Sequence, residues 1–251
     1  MGDILLELGC DALMFAGFAT RRHFPALKTA EMLRLYDRIL RDRRVEGMFE
    51  LGIFQGGSCA FFNQLLQPRV HVAVDSCHES WPALPELAAD VAAAGRLLKF
   101  YHGVDQKNGV TLSDLVTRWL MDDERASILD LVVDDASHFY EQTKSSFNAL
   151  FPLLRTGGIY AIEDWGLAQN IRPTSDSVDV LDSPSTALSR LVFELTMYCE
   201  RRRDVVQEVL VTPDIVFVVR GPARLPMSFD VTGVTLLQQG HKFDGEPESA
   251  P

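Results

Sequence analysis

Val205-Val206-Gln207-Glu208-Val209-Leu210-Val211, then Thr212-Pro213-Asp214, then Ile215-Val216-Phe217-Val218-Val219 is the stretch on which the fold turns. Two apolar, β-branched runs joined by so short a turn must pair as an antiparallel hairpin, because a parallel return needs a crossover of about a dozen residues. The preceding sequence has the opposite habit. Met48-Phe49-Glu50-Leu51 ends in Gly52, and Val70-His71-Val72-Ala73-Val74 ends in Asp75. Leu97-Leu98-Lys99-Phe100-Tyr101 ends at His102-Gly103. Ile128-Leu129-Asp130-Leu131-Val132-Val133 ends in Asp134-Asp135, and Gly158-Ile159-Tyr160-Ala161-Ile162 in Glu163-Asp164. Segments suited to helices lie between them, at 57–66, 84–95, 111–121 and 139–154. Short apolar strands alternating with helices predict a parallel sheet covered on both faces. The reading is one α/β domain: a doubly wound sheet of about seven strands, mostly parallel, closed by a C-terminal antiparallel hairpin.

Upstream, residues 28–44 predict a helix with Leu33, Leu35, Tyr36 and Leu40 on its apolar face. The arginines at 34, 38, 41, 43 and 44 alternate with Asp37 and Asp42 and read as a solvated face. Residues 1–46 are therefore expected to form an N-terminal helical cap, and 47–240 the main domain. The 165–185 stretch, rich in Ser, Asp, Pro and Asn, reads as a long lid loop, and 241–251 as a loose tail.

Lys+Arg number 24 against 35 Asp+Glu, a formal net charge of −11. That balance argues against nucleic-acid or anionic-membrane partners, which call for a basic surface. Hydrophobic residues at 47% and charged residues at 24% exclude a disordered chain. Cys10, Cys59, Cys77 and Cys199 form no CxxC pair, so reduced thiols and a cytoplasmic location are expected. No signal peptide or membrane-spanning stretch is expected either. The apolar patches Ile4-Leu5-Leu6 and Leu13-Met14-Phe15 suggest packing against the core or a homodimer contact.

Acids end the strands: Asp75, Asp134-Asp135 and Glu163-Asp164, with Glu50 near the end of the first. Ligands of open α/β sheets bind outside these carboxyl ends. Each acid alone could cap the helix that follows, but four strand ends carrying acids ask for more than capping. The first strand leads into Glu50-Leu51-Gly52-Ile53-Phe54-Gln55-Gly56-Gly57-Ser58, where glycines let the backbone turn tightly and approach a ligand at a helix N-terminus. With Asp75 placed to accept from ribose hydroxyls, the combination points to an adenosine-containing cofactor.

Glu50-x-Gly52-x-x-x-Gly56-Gly57-Ser58, Asp75 and five β/α units closed by a hairpin together resemble the class I S-adenosylmethionine-dependent methyltransferases. The resemblance implies a Rossmann-like fold. It also implies that Gly52, Gly56, Gly57 and Ser58, with Glu50 at the head of the loop, hold the methionine end of S-adenosylmethionine while Asp75 holds the ribose. Val132-Val133-Asp134-Asp135-Ala136-Ser137-His138, with Gly157-Gly158-x-Tyr160-x-Ile162-Glu163-Asp164, is similar to the mycinamicin-type macrolide sugar O-methyltransferases. That similarity implies a divalent metal, usually magnesium, carboxylate ligands and a histidine base. Gly103-Val104-Asp105-Gln106 is similar to the family's GDQ segment near the adenine, which adds Asp105 and Gln106 to the cofactor residues.

The residues themselves support that chemistry. Asp135, Glu163 and Asp164 end consecutive strands, and carboxylates forced together repel unless a hard cation joins them. Side chains alternate along a strand, so Asp135 is assigned to the metal and Asp134 to the cofactor side or a structural role. His138, at the start of the next helix, is the expected general base for a small-molecule hydroxyl acceptor, sugar-like or phenolic. His71 is expected in the core and Cys77-His78 in a loop, while Trp165 and Tyr140 fit either a substrate pocket or aromatic packing. The competing readings are a metal-independent methyltransferase and a catalytically silent cofactor-binding or scaffolding subunit.

Overall fold

The computed structural model describes residues 3–9, 17–124, 126–167 and 187–234. Its main sheet contains β3 (Gly47–Leu51), β4 (Val70–Asp75), β5 (Leu97–His102), β6 (Leu129–Asp134), β7 (Ile159–Glu163), β8 (Val206–Val211) and β9 (Ile215–Arg220). The spatial order is β5-β4-β3-β6-β7-β9-β8. The strands from β5 to β7 run parallel, while β9 lies antiparallel to both β7 and β8. The α/β class, the seven strands and the closing hairpin are as the sequence predicts. The chain builds outward from β3 through β4 and β5, then returns to lay β6 on the other side of β3. The strand order therefore reverses between β3 and β6, and a crevice opens beyond their carboxyl ends.

The strands read as continuous apolar runs because both faces are covered. β3, β7 and β9 are buried along their whole lengths, whereas β8 at the edge exposes Gln207 and Glu208. One face carries α4 (Gly109–Trp119), α5 (Tyr140–Leu150) and α6 (Ser189–Arg201), packed on residues such as Phe49, Val72 and Val132. The other face carries α1 (Ala30–Leu40), α2 (Gly57–Leu65) and α3 (Ala83–Ala93). Each buried Leu, Val or Phe there contributes about 1.5–3 kcal/mol relative to an exposed one.

Three readings change. The residues 1–46 predicted as a helical cap contain α1 but also β1 (Leu5–Leu8) and β2 (His23–Ala26), a small parallel sheet whose connection is long enough for a crossover. Helix α6 was not anticipated, although Leu191, Val192, Leu195 and Tyr198 follow helical spacing and are buried. The helix predicted over 139–154 tightens into a 3₁₀ turn at Phe151–Leu153, where Pro152 has no N–H to continue the α ladder. The lid expected over 165–185 lies, from residue 168 on, outside the described residues, as do the 241–251 tail and Leu13-Met14-Phe15. No described helix is long and apolar enough to cross a membrane.

Candidate active site

A cavity of about 750 Å³ opens at the switch point. Its floor is the turn after β3. Gly52 has φ +96°, and any β-carbon there would run into the backbone carbonyl of Asp135. Only glycine allows both that conformation and that approach. The turn is tied down from β4: Asp75 Oδ2 accepts from the backbone N–H groups of Ile53 at 2.8 Å and Phe54 at 3.1 Å, and Oδ1 accepts from Cys77 N–H at 2.8 Å. Gly52, Gly57, Ser58, Asp75, Asp105 and Gln106 all reach the cavity wall. Asp75 ends β4 at the cavity wall and holds the glycine turn in shape.

Glu50 does not reach the cavity. Its side chain points to the opposite face of β3 from Leu51 and is fully buried, accepting from Cys59 Sγ at 3.0 Å and lying 2.9 Å from His71 Nε2. The expected contact of Glu50 with the cofactor is therefore replaced by an internal one. His71 is a core histidine, as predicted, with Nδ1 2.9 Å from the Asn63 amide.

The adjacent acids at the end of β6 divide between the faces. Asp134 is buried and accepts from Gln106 Nε2 at 2.7 Å and from the hydroxyls of Ser146 and Tyr160, each at 2.6 Å. Of its two anticipated roles, this geometry is the structural one. Burial raises its carboxyl above the ordinary range, and the three donors pull it back. Gln106 also accepts from Ser137 Oγ at 2.6 Å, so the network reaches the loop that carries His138.

Asp135 faces the cavity. Asp135, His138 and Asp164 each offer a ligand atom within 4.8 Å of the others. His138 Nε2 lies 3.9 Å from Asp135 Oδ1, too far for a hydrogen bond. His138 and Asp164 both have left-handed backbones, with φ 59° and 52°, a strain of the kind found at functional sites. Burial raises the Asp164 carboxyl, and the negative charge of Asp135 raises it further. Two carboxylates and an imidazole in this arrangement form a donor set suited to a divalent cation.

Glu163 stands apart from this trio. It is fully buried, with Oε2 2.6 Å from Lys28 Nζ and Oε1 accepting from the Tyr36 hydroxyl at 2.6 Å. Its assignment as a metal ligand alongside Asp135 and Asp164 is not what the geometry brings together. The same Lys28 ammonium lies 2.9 Å from Asp135 Oδ2. Burial alone would lower the pKa of Lys28, but the attraction of Asp135 and Glu163 outweighs it and holds the lysine charged. Burial also raises the Glu163 carboxyl, with repulsion from Asp135 adding to the effect. Sequence reading missed Lys28 and Tyr36. Their partners lie 107, 135 and 127 residues away, beyond any local pattern. Trp165 and Tyr140 resolve as packing residues: the indole N–H donates to Thr212 O at 2.8 Å, and the phenol to Glu194 at 2.9 Å.

Comparison with known proteins agrees with this architecture. Residues 49–165 match the family model described as a methyltransferase domain, Methyltransf_24. Over 60 residues the chain is 42% identical to demethylmacrocin O-methyltransferase of Streptomyces fradiae, a match covering 24% of this chain and 13% of that protein. Over 35 residues it is 54% identical to mycinamicin VI 2''-O-methyltransferase of Micromonospora griseorubida, covering 14% and 9%. The MycE methyltransferase of the mycinamycin pathway, solved in complex with Mg, SAH and mycinamycin VI, superposes with a TM-score of 0.56 at 22% identity. That superposition spans 75% of this chain and 48% of MycE, so the part in common is about half the length of the solved relative. Residues 49–165 thus match a methyltransferase domain, and the fold with its strand-end site resembles the class I S-adenosylmethionine-dependent methyltransferases. Within that class the chain resembles the mycinamicin-type O-methyltransferases.

Proposed function

We propose that this chain is an S-adenosylmethionine-dependent O-methyltransferase that works with a divalent cation, magnesium in the first instance, on a hydroxyl of a small specialised metabolite. The acceptor is sugar-like or phenolic, with two neighbouring oxygens. One observation carries the reading: Asp135, His138 and Asp164 converge on the same cavity that the Gly52 turn, Ser58 and Asp75 line. The named activities of the macrolide O-methyltransferases that share its core segments support it.

In this reading Gly52, Gly57 and Ser58 seat the methionine end of the cofactor, Asp75 the ribose, and Asp105 and Gln106 the adenine side. Asp135 and Asp164 would hold the cation, together with His138 or with His138 left free as base. A bound magnesium ion lowers the pKa of a hydroxyl that it polarises. His138, as a neutral imidazole, takes the hydroxyl proton at a ring nitrogen. Bound S-adenosylmethionine would supply the methyl group to the acceptor oxygen and leave as S-adenosylhomocysteine, the electron pair of the broken sulfur–methyl bond remaining on sulfur. The cavity walls supply proximity and exclude water.

The metal-independent alternative draws on Lys28, which already places positive charge on Asp135 and Glu163. Methyl transfer to a panel of vicinal diols, catechols and deoxysugar glycosides, measured with magnesium and with EDTA, separates the readings. Loss of turnover in EDTA with S-adenosylhomocysteine binding retained is the expected result. Equal rates would sink the metal-dependent mechanism, and no turnover with any acceptor would favour the silent subunit.

A further inference from the structure

Lysine is almost never fully buried unless it is paired, because removing an ammonium from water costs several kcal/mol. Lys28 is 2% exposed and sits at the wall of the cavity. It precedes the cap of α1, where Thr29 accepts from Met32 N–H, so its backbone is anchored by local structure. It lies outside the 49–165 segment that matches the methyltransferase family model. Its ammonium spans two carboxylates, 2.9 Å from Asp135 Oδ2 and 2.6 Å from Glu163 Oε2. Tyr36, two turns along α1, donates to the remaining oxygen of Glu163. Both oxygens of Glu163 are thus engaged by residues of the N-terminal segment. Asp135 gives only Oδ2 to Lys28, and its Oδ1 lies on the side of His138.

We infer that Lys28 is the resident cation of the carboxylate site, which holds Glu163 out of the ligand set and leaves Asp135 and Asp164, with His138 beside them, to take a divalent ion. Lys28 is a positioning residue: it acts through Asp135 and Glu163. One effect on metal affinity follows: the fixed positive charge beside Asp135 opposes a second cation, so it weakens metal binding. The inference rests on the metal-dependent reading above.

The test is titration of the full chain with Mn²⁺ alone, following free Mn²⁺ by electron paramagnetic resonance, with no turnover involved. Lys28→Met is expected to bind Mn²⁺ about tenfold more tightly than the parent, the effect of removing one nearby positive charge. Lys28→Arg, which keeps the charge, should stay within about threefold, and Glu163→Gln, which removes a nearby negative charge but no ligand, should weaken binding by no more than about tenfold. Affinity unchanged or weaker in Lys28→Met, or lost more than about tenfold in Glu163→Gln, would overturn the inference. If Lys28→Met fails to fold, as judged by circular dichroism, the double variant Lys28→Met/Glu163→Gln removes both members of the buried pair. Binding at least as tight as the parent then sustains the inference, and weaker binding overturns it. A parent that binds no Mn²⁺ beside a Lys28→Met variant that does sustains the role of Lys28 and overturns the metal-dependent reading. Binding by neither overturns both.

Discussion

Glu50, Cys59 and His71 lie as close together as Asp135, His138 and Asp164, yet the first trio is sealed beneath the glycine turn while the second opens on the cavity. In the sealed trio the thiol donates to Glu50, the imidazole lies beside the same carboxylate and Asn63 lies against its other nitrogen, while Glu50 Oε1 and His71 Nε2 make no hydrogen bond. In the open trio His138 Nε2 stands 3.9 Å from Asp135 Oδ1, and two of the three residues hold left-handed backbones. Donor count is therefore a poor guide to a site. Access to the cavity distinguishes a place where a ligand can bind from a polar element of the core.

That contrast can be broken most directly at the open trio. Replacing His138 with Ala should lower methyl transfer by about 10²–10⁴-fold, with S-adenosylhomocysteine affinity held within about threefold by calorimetry. A small effect on turnover would remove the distinction between the two trios as far as chemistry is concerned. The next largest effect is one of stability. Asp134→Ala strips the shared acceptor from Gln106, Ser146 and Tyr160 and should cost about 2–4 kcal/mol in urea unfolding, since buried donors are left unmade. The neighbouring Asp135→Ala should instead lose activity and, because Glu163 still pairs with the buried Lys28, cost less stability than Asp134→Ala. Similar urea midpoints for the two variants would contradict the division of these acids between structure and chemistry.

Smaller effects sharpen the sealed side. Glu50→Gln should destabilise by about 1–2 kcal/mol while leaving the KM for S-adenosylmethionine within about twofold, because the carboxylate touches core partners and not the cavity. A rise in KM well beyond that would return Glu50 to the cofactor. Smallest of all, Tyr36→Phe deletes one hydrogen bond to Glu163 and should cost about 1 kcal/mol in thermal unfolding, with no change of fold.

Much of this was legible in the sequence for a physical reason. Strands covered on both faces must be apolar throughout, so β3, β4, β6 and β7 announce themselves, and a short turn between two such runs forces β8 and β9 to be antiparallel. The same logic places Gly52, Asp75, Asp135, His138 and Asp164 at the carboxyl edge, and the structure finds each of them at the cavity. The N-terminal segment resisted the same reading. Leu5–Leu8 and His23–Ala26 are too short to show a clear period, and they become strands by pairing with each other across the chain. Helix α6 was there to be found in its spacing and was hidden by the irregular stretch before it.

The sequence by itself determined the mostly parallel sheet, its closing hairpin and the edge where chemistry belongs, because these follow from periodicity, turn length and the placement of acids. Only the tertiary structure decided which acids are available. Alternation along β3 turned Glu50 to the face occupied by Cys59 and His71, and alternation along β6 separated Asp134 from Asp135. The docking of α1 and its leading loop brought Lys28 and Tyr36 onto Glu163. A carboxylate's role depends on which donors reach it through space, and those donors come from parts of the chain with no local relation to it.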